Sequence, residues 1–249
     1  MSRAAFPKQA MILTAGRGTR LGELGRRRAK VLIEVDDTPL LSHHLRYLSW
    51  HGVERVVINA SHLAEQLEEF ARRHHAPPEL QVSIESEPLG TAGGVIKARP
   101  MFASGRLLVI YGDVMAGEDL RPMAALHDQH RPGATLAVYH SDRVETKGVM
   151  ELSGSRITTF REKDPTLTSG WVNAGIYVIE LDWLARYPSD RPLDFGLDIF
   201  PAALRAGDEL RAFRLDDPVL DIGTEPDLAE ARRRGLPALS GVDAPSGRA

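Results

Sequence analysis

The chain has no cysteine. That excludes disulfides, thiolate metal sites and a cysteine nucleophile, and says little about compartment. No apolar run approaches the roughly 20 residues that span a bilayer, so no membrane partner is expected. Positive charge is not in excess: 31 lysines and arginines face 34 aspartates and glutamates, for a net charge of −3. Nothing pulls the chain as a whole toward nucleic acid or an anionic surface. The nine histidines show no metal-ligand spacing. His43-His44 and His74-His75 are expected at the surface or at helix ends. No internal repeat or hexapeptide period is visible. The stretch "MSRAAFPKQAMILTAG" runs straight into a strand pattern, so no cleaved leader is expected and the cytoplasm is the expected location.

What is present is a globular composition, 43% hydrophobic and 26% charged over 249 residues, enough for one large domain with a real core. Strand-length apolar runs alternate with helical periodicity up to about residue 140. "AMILTA", "RVVINA", "LQVSIES" and "RLLVIYGD" read as strands. "PLLSHHLRYLSWHG", "HLAEQLEEFARRHH" and "TAGGVIKARPMF" read as helices, the second capped by Asn59 or Ser61. Runs apolar on both faces suit parallel strands covered by helices on both sides. The expected fold class is therefore α/β, with a Rossmann-like doubly wound sheet. Further on, "TLAVYHS", "KGVMELS", "RITTFRE" and "WVNAGIYVIE" read as the meander of a mixed sheet. Helical pattern returns in "FGLDIFPAALRAG" and "EPDLAEARRRG". One domain over 1–236 is expected, with the Pro/Gly/Ser/Ala-rich stretch 237–249 as a disordered tail.

The most telling stretch is "ILTAGRGTRLGELGRRRAKVLIEV", residues 12–35. A glycine-rich turn between strand and helix lets backbone N–H groups approach phosphate oxygens without Cβ obstruction. Gly16 and Gly18 supply the turn, and Arg20 a guanidinium fork. The dinucleotide fingerprint fails, because Leu21 stands at the third glycine position, and no GK[ST] follows to make a P-loop. Lys30 enters the next apolar run, "KVLIEV", which reads as a strand followed by a turn at Asp36. Residues 8–140 thus read as a nucleotide half and 141–236 as a substrate half completing one cleft.

With these residues the sequence resembles the sugar-1-phosphate nucleotidyltransferases, or NDP-sugar pyrophosphorylases. "GRGTRL" followed by "AK" is similar to their signature loop, with Ala29 for the usual proline. "EPLGTAGG" (87–94) resembles the segment bordering nucleobase and sugar. "YGD" (111–113) resembles the strand end whose aspartate holds Mg²⁺. "FREKD" (160–164) is similar to the F-x-E-K-P segment, with Asp164 for proline. "VNAGIYVI" (172–179) resembles the strand whose asparagine touches the sugar, and "LDIGT" (220–224) the segment supplying a second metal aspartate. The segments follow the family's order across roughly residues 8–232. The implied fold is the glycosyltransferase-A-like nucleotidyltransferase sheet, here without the C-terminal β-helix of longer members.

The resemblance implies that a nucleoside triphosphate and a sugar 1-phosphate become an NDP-sugar and pyrophosphate by in-line attack at the α-phosphorus. Arg20, Lys30 and Asp113 are the implied catalytic residues. Ala15, Gly16, Gly18, Thr19, Glu87, Gly90 and Thr91 are implied around the nucleotide, and Gly148, Glu162, Lys163 and Asn173 around the sugar phosphate. Asp113 and Asp221 are the implied Mg²⁺ ligands, both hard oxygen donors. "EPLGTAG" looks most like the mannose-1-phosphate and D-glycero-D-manno-heptose-1-phosphate guanylyltransferases, which points to GTP. Ala15 is commoner in relatives using UTP, dTTP or CTP. A uridylyl- or adenylyltransferase on another hexose or heptose 1-phosphate stays open, as do a non-catalytic nucleotide-sugar-binding homologue and a homo-oligomeric state.

Overall fold

The structure is a computed structural model and describes residues 6–237 except 146, 165, 188–190 and 218. The expected tail from 238 onward lies outside the described residues. The first half runs β1 (Gln9–Leu13), a 3-10 turn (Thr19–Leu21) leading into α1 (Gly22–Arg27), a second 3-10 turn (Lys30–Leu32), the hairpin β2 (Glu34–Val35) and β3 (Thr38–Pro39), α2 (Leu40–Trp50), β4 (Arg55–Ala60), α3 (Ala64–Arg73), β5 (Glu79–Ile84), α4 (Gly90–Ala98) and β6 (Arg106–Tyr111). The second half runs β7 (Val114–Met115), α5 (Arg121–His130), β8 (Ala134–Ser141), β9 (Gly148–Ser153), β10 (Arg156–Glu162), β11 (Gly170–Glu180), α6 (Leu181–Leu184), a π-helical turn (Phe195–Ile199), α7 (Phe200–Arg205), β12 (Leu210–Arg214), β13 (Leu220–Asp221) and α8 (Glu225–Arg234).

One nine-stranded mixed sheet joins both halves in the order β5-β4-β1-β6-β11-β8-β12-β10-β9. The β5-β4-β1-β6 part is parallel, and β11 runs antiparallel to β6. β9 pairs with β11 as well as with β10, so this side of the sheet curls on itself. The alternation within the strands explains the two layers. On β1, Ala10 and Ile12 point into one core with Leu41, Leu45 and Leu48 of α2 and Met123 of α5. Met11 between them points into the other, with Ala92, Val95 and Ala98 of α4 and Phe200 and Ala203 of α7. A period of two with both faces buried is what a helix-covered parallel strand requires. Each large side chain so buried contributes about 1.5–3 kcal/mol.

A third cluster is small but decides where the site lies. Leu21, Ile33, Val35, Leu40, Met115 and Ile222 pack with Leu228 and Ala231 of α8. α8 opens on a capping box: Thr224 N–H donates to Asp227 Oδ2 at 2.8 Å, and Asp227 N–H donates back to Thr224 Oγ1 at 3.3 Å. The last helix is thereby held against the first loop, and β13 is laid beside β7.

Three expectations are corrected. "KVLIEV" is not a strand at its start: Lys30–Leu32 is a 3-10 turn, and only Glu34–Val35 is extended. Consecutive Val31 and Leu32 enter one core while Ile33 enters another, which strict strand alternation does not allow. Neither Asn59 nor Ser61 caps α3, whose N-cap is Leu63 in the left-handed region with φ 56°; Asn59 is bonded elsewhere. His44 is not at the surface but 1% exposed.

Candidate active site

The glycine loop leaves β1 at the C-terminal ends of the parallel strands, where open α/β sheets place ligands. It is tied to β4: Thr14 N–H donates to Asn59 Oδ1 at 2.7 Å, and the Thr14 hydroxyl donates to the Asn59 carbonyl. Gly18 is left-handed, φ 61°, and crosses Gly25 so closely that a Cβ on Gly25 would lie 2.1 Å from the Gly18 carbonyl oxygen. Gly16 differs: a Cβ there would meet nothing within 4 Å. Ala29, standing for the family's proline, has φ −56°, close to the angle a proline ring imposes. Its N–H, which proline would lack, donates to Gln66 Oε1 at 2.9 Å, while Gln66 Nε2 donates to the Arg27 carbonyl at 2.8 Å. A side chain on α3 thus fixes the loop that a proline would have stiffened.

The loop forms one wall of a cavity of about 370 Å³. Ala15, Gly16, Gly18, Thr19 and Arg20 line it, together with Lys30, Gly90, Thr91 and Asp113. Glu87 does not. It is exposed, on a neighbouring depression with Arg17 and Arg26. The carboxylate on the cavity wall is Glu85, 3% exposed. Asn59 Nδ2 donates to Glu85 Oε1 at 2.8 Å, and the Leu89 N–H donates to Glu85 Oε2 at 3.0 Å. Gly94 faces this pair, and a Cβ on it would lie 2.7 Å from both Asn59 Nδ2 and Glu85 Oε1.

Asp113 follows β6 at the floor. Gly112 N–H donates to the Leu13 carbonyl at 2.9 Å, and a Cβ on Gly112 would strike Val31 Cγ1 at 2.6 Å. Buried His44 donates from Nε2 to the Gly112 carbonyl, 3.0 Å away. Burial, only partly offset by that bond and by Asp113, pulls the His44 pKa down to about 4, so the ring is neutral at pH 7. Lys30 Nζ lies 2.5 Å from Asp113 Oδ2. β13 runs antiparallel to β7 with Asp221 opposite Val114, and Ile222 N–H donates to the Asp113 carbonyl at 2.8 Å. The two aspartates are thereby neighbours. Burial first, then the Asp113 charge, pushes the Asp221 carboxyl above its ordinary range.

A second cavity of about 290 Å³ opens on the other side of the same floor. Arg20, Tyr111, Asp113 and Asp194 line both. The second also gathers Gly148, Glu162, Lys163, Asn173 and Asp221. Glu162 is lodged between two backbones: a Cβ on Gly148 or on Gly196 would lie 2.6 Å from its Oε2. Burial raises its pKa, Lys163 opposes that, and Asp194 adds to it. Lys163 is left-handed, φ 54°, a conformation that costs a non-glycine residue about 1–3 kcal/mol. Asp164 Oδ1 accepts the Thr166 N–H at 2.9 Å and shapes the turn that follows. Asn173 sits at the bulge of β11, its Oδ1 accepting Gly175 N–H at 3.0 Å and its Nδ2 donating to Tyr177 OH at 2.7 Å.

Sequence reasoning missed Asn59, Glu85, Asp194 and Lys147. Asn59 and Glu85 had one signal: both stand at C-terminal ends of parallel strands. Asp194 had another, as the acidic cap before "FGLDIF". Its Oδ1 accepts Gly196 N–H at 2.9 Å, and its Oδ2 accepts the Thr91 hydroxyl at 2.9 Å, so it bridges the two cavities.

Residues 9–236 match the family described as Nucleotidyl transferase. The UTP--glucose-1-phosphate uridylyltransferase of a Synechocystis species is 30% identical over 242 residues, covering 90% of this chain and 62% of that protein. The mannose-1-phosphate guanylyltransferase catalytic subunit beta of Danio rerio is 32% identical over 226 residues, covering 88% of this chain and 62% of that protein. The chain thus spans about three fifths of the length of these relatives. Among solved structures, HddC from Yersinia pseudotuberculosis complexed with GMP-PN superposes with a TM-score of 0.76 at 24% identity, covering 91% of this chain and 99% of that one, a likeness of fold.

Proposed function

We propose, from the premise that this chain belongs to the nucleotidyl transferase family, that it is a sugar-1-phosphate nucleotidyltransferase. It transfers a nucleotidyl group, most specifically from GTP, to mannose 1-phosphate or D-glycero-D-manno-heptose 1-phosphate. The observation that carries this is the shared floor: two cavities meet at Arg20 and Asp113, with Lys30 on one side and Asp221 on the other. An oxygen of the sugar phosphate attacks the α-phosphorus from the second cavity. The bond from the α-phosphorus to the bridging oxygen breaks on the far side, and pyrophosphate leaves with that oxygen. Two anions must meet, so catalysis is positioning and charge neutralisation. Lys30 neutralises the α-phosphate, Arg20 the leaving pyrophosphate and Lys163 the incoming phosphate.

Asp113 and Asp221 fit Mg²⁺. Burial first and then the Asp113 charge raise the Asp221 carboxyl, and a bound divalent cation would offset both. Two carboxylates would leave its other positions to waters and substrate phosphate oxygens, a ligand set that Mg²⁺ accepts. When bound, it would add positive charge at the α-phosphate.

Glu85 supports GTP. Each carboxylate oxygen spends one lone pair on Asn59 or Leu89 and keeps acceptor capacity. Guanine presents N1–H and N2–H side by side, a match for two oxygens; uracil presents one N–H between carbonyls. The mannose-1-phosphate guanylyltransferase relative supports the sugar, and "NAGIYVI" with "EK" lacking a following proline supports the heptose. Ala15 and the uridylyltransferase relative favour a second reading, UTP with another hexose 1-phosphate. Pyrophosphate release from ATP, GTP, CTP, UTP and dTTP against mannose, glucose and manno-heptose 1-phosphates decides. GTP with a manno-configured sugar is expected, and Glu85→Gln should erase the GTP preference. Fastest turnover with UTP would establish the second reading, and no release from any pair would reject both.

A further inference from the structure

We propose that Lys147 is a second lysine contact for the phosphate of the sugar 1-phosphate, held in place by Tyr139. The inference rests on the nucleotidyltransferase reading above and concerns its second cavity.

Three cations line that cavity: Arg20, Lys147 and Lys163. Among the described residues none has a carboxylate within 4 Å. Elsewhere the cations are mostly spent: Lys30 on Asp113, Arg73 on Glu69, Arg161 on Glu151, Arg211 on Glu209. Exposed lysines are often unpaired and mean little. These are gathered at one cavity, and the backbone forces two of them together. The Lys163 N–H donates to the Lys147 carbonyl at 3.1 Å, one step past the Gly148–Glu162 pair of the β9–β10 ladder. Like charges set opposite each other across a ladder destabilise it. Lys163 adds the left-handed strain noted above. Two lysines brought to one place, neither with a carboxylate within 4 Å among the described residues, keep N–H donors that an anion can take.

Lys147 is also aimed. Its ammonium donates to the Tyr139 hydroxyl oxygen. Bonded there, and 4.9 Å from the ring centroid, it sits at the hydroxyl end of the ring and not over its face. Tyr139 is 5% exposed, so its ring is fixed by the core while its hydroxyl reaches the cavity. Because that oxygen accepts from Lys147, its own proton is free to point into the cavity. The ammonium keeps two further N–H donors. The pair thus offers an anion a full charge and a neutral donor from one anchored unit. Lys147 lines the same cavity as Arg20, Asp113 and Asp221, beside the floor where the two phosphates would meet. The cavity carries four carboxylates, Asp113, Glu162, Asp194 and Asp221. A sugar phosphate dianion entering among them needs more positive charge than Lys163 alone supplies.

The test compares Lys147→Met, Lys147→Arg and Tyr139→Phe with the parent in pyrophosphate release, varying the sugar 1-phosphate and then the nucleoside triphosphate. Thermal midpoints check folding. Lys147→Met should raise the KM for sugar 1-phosphate at least tenfold and leave the KM for triphosphate within twofold. Lys147→Arg should return the sugar phosphate KM to within about threefold of the parent. Tyr139→Phe should raise the same constant by less than Lys147→Met does. A merely structural lysine would shift the thermal midpoint and both constants together, and that result overturns the proposal. So does a Lys147→Met enzyme whose sugar phosphate KM stays within twofold of the parent while the parent is active. A parent enzyme that releases no pyrophosphate from any pair overturns the functional reading itself, and this proposal with it.

Discussion

Two glycines in the same cleft should respond oppositely to one added methyl group. Gly90, at the start of α4, has φ 78°, and a Cβ there would lie 2.4 Å from the Leu193 carbonyl oxygen and 2.8 Å from its carbon. Alanine at φ > 0 costs about 1–2 kcal/mol. The backbone of Leu193 must also move away. That carbonyl accepts Ala92 N–H at 2.9 Å and Gly93 N–H at 3.0 Å, and Leu193 N–H donates to the Leu89 carbonyl at 2.8 Å. Weakening three such bonds, each worth about 0.5–1.5 kcal/mol net, adds a similar amount or more. Gly90→Ala should therefore cost about 3–5 kcal/mol and lower the thermal midpoint by about 6–20 °C. It should also dislodge Asp194, the next residue, and harm both substrates. Gly16→Ala is the contrast. Its Cβ meets nothing within 4 Å and stands on the wall of the first cavity, so the midpoint should hold within about 2 °C. The methyl would occupy space that the proposed function assigns to phosphate, and the KM for triphosphate should rise at least tenfold by the loss of a close backbone approach worth about 1.4 kcal/mol or more. Differential scanning fluorimetry and initial rates with each substrate varied measure both. A Gly90→Ala protein as stable as the parent would refute the account of the Leu193 contact. A Gly16→Ala enzyme with unchanged triphosphate KM would refute the phosphate loop.

Asp113→Asn keeps the side-chain size but removes the charge beside Lys30, so the protein should fold while turnover drops about 10²-fold or more, roughly 3 kcal/mol of transition-state stabilisation; Asp36→Asn, on the turn after the loop, should be near neutral, and excess EDTA should abolish turnover in the parent, all read by pyrophosphate release. His44, held neutral with a pKa near 4 against about 6.5 unfolded, contributes stability fully present above about pH 6.5 and lost as pH falls to 4. Over that window it should remove about 3 kcal/mol, so the thermal midpoint of His44→Gln should start lower at pH 7 and fall less steeply with acid than the parent's.

The parts of the site legible in the sequence are those whose chemistry is local. Gly16, Gly18, Thr19 and Arg20 make their own turn within a few residues, and Asp113 simply ends a buried strand. Glu162-Lys163 and Asn173 were legible only through resemblance, since nothing in their local pattern separates them from a surface pair or a satisfied core amide. What stayed hidden depends on partners far along the chain. Asn59 looked like a helix cap because its real partners, Thr14 and Glu85, directly follow β1 and β5. His44 looked exposed because its acceptor is Gly112, 68 residues away. The start of "KVLIEV" looked like a strand because an unbroken apolar run does not reveal that its side chains serve two different cores. Lys147 carried no signal at all until the β9–β10 register set it beside Lys163.

The charge balance makes the last point. A chain with net charge −3 has no long-range field to gather two polyanions, and screening over about 8–10 Å would remove most of one. On the proposed function, affinity for triphosphate and sugar phosphate would have to be built locally, at short range and out of reach of salt. The allocation of charge in the structure fits that reading. Several surface arginines are taken up by carboxylates one helical turn away, as Arg27 is by Glu23 and Arg234 by Glu230. Arg20, Lys147 and Lys163 at the second cavity have no carboxylate within 4 Å among the described residues, and Lys163 is held in the left-handed region. The acidic groups of the cleft are handled differently. Asp113 is given to Lys30, Glu162 is boxed between Gly148 and Gly196, and Asp194 is bound by Thr91 and Gly196. Burial raises both Glu162 and Asp221, and of these two Asp221 is the one that the Asp113 charge raises further. Asp221 is therefore a group whose charge would depend on what binds, and the place where a divalent cation and the two phosphates would be felt together.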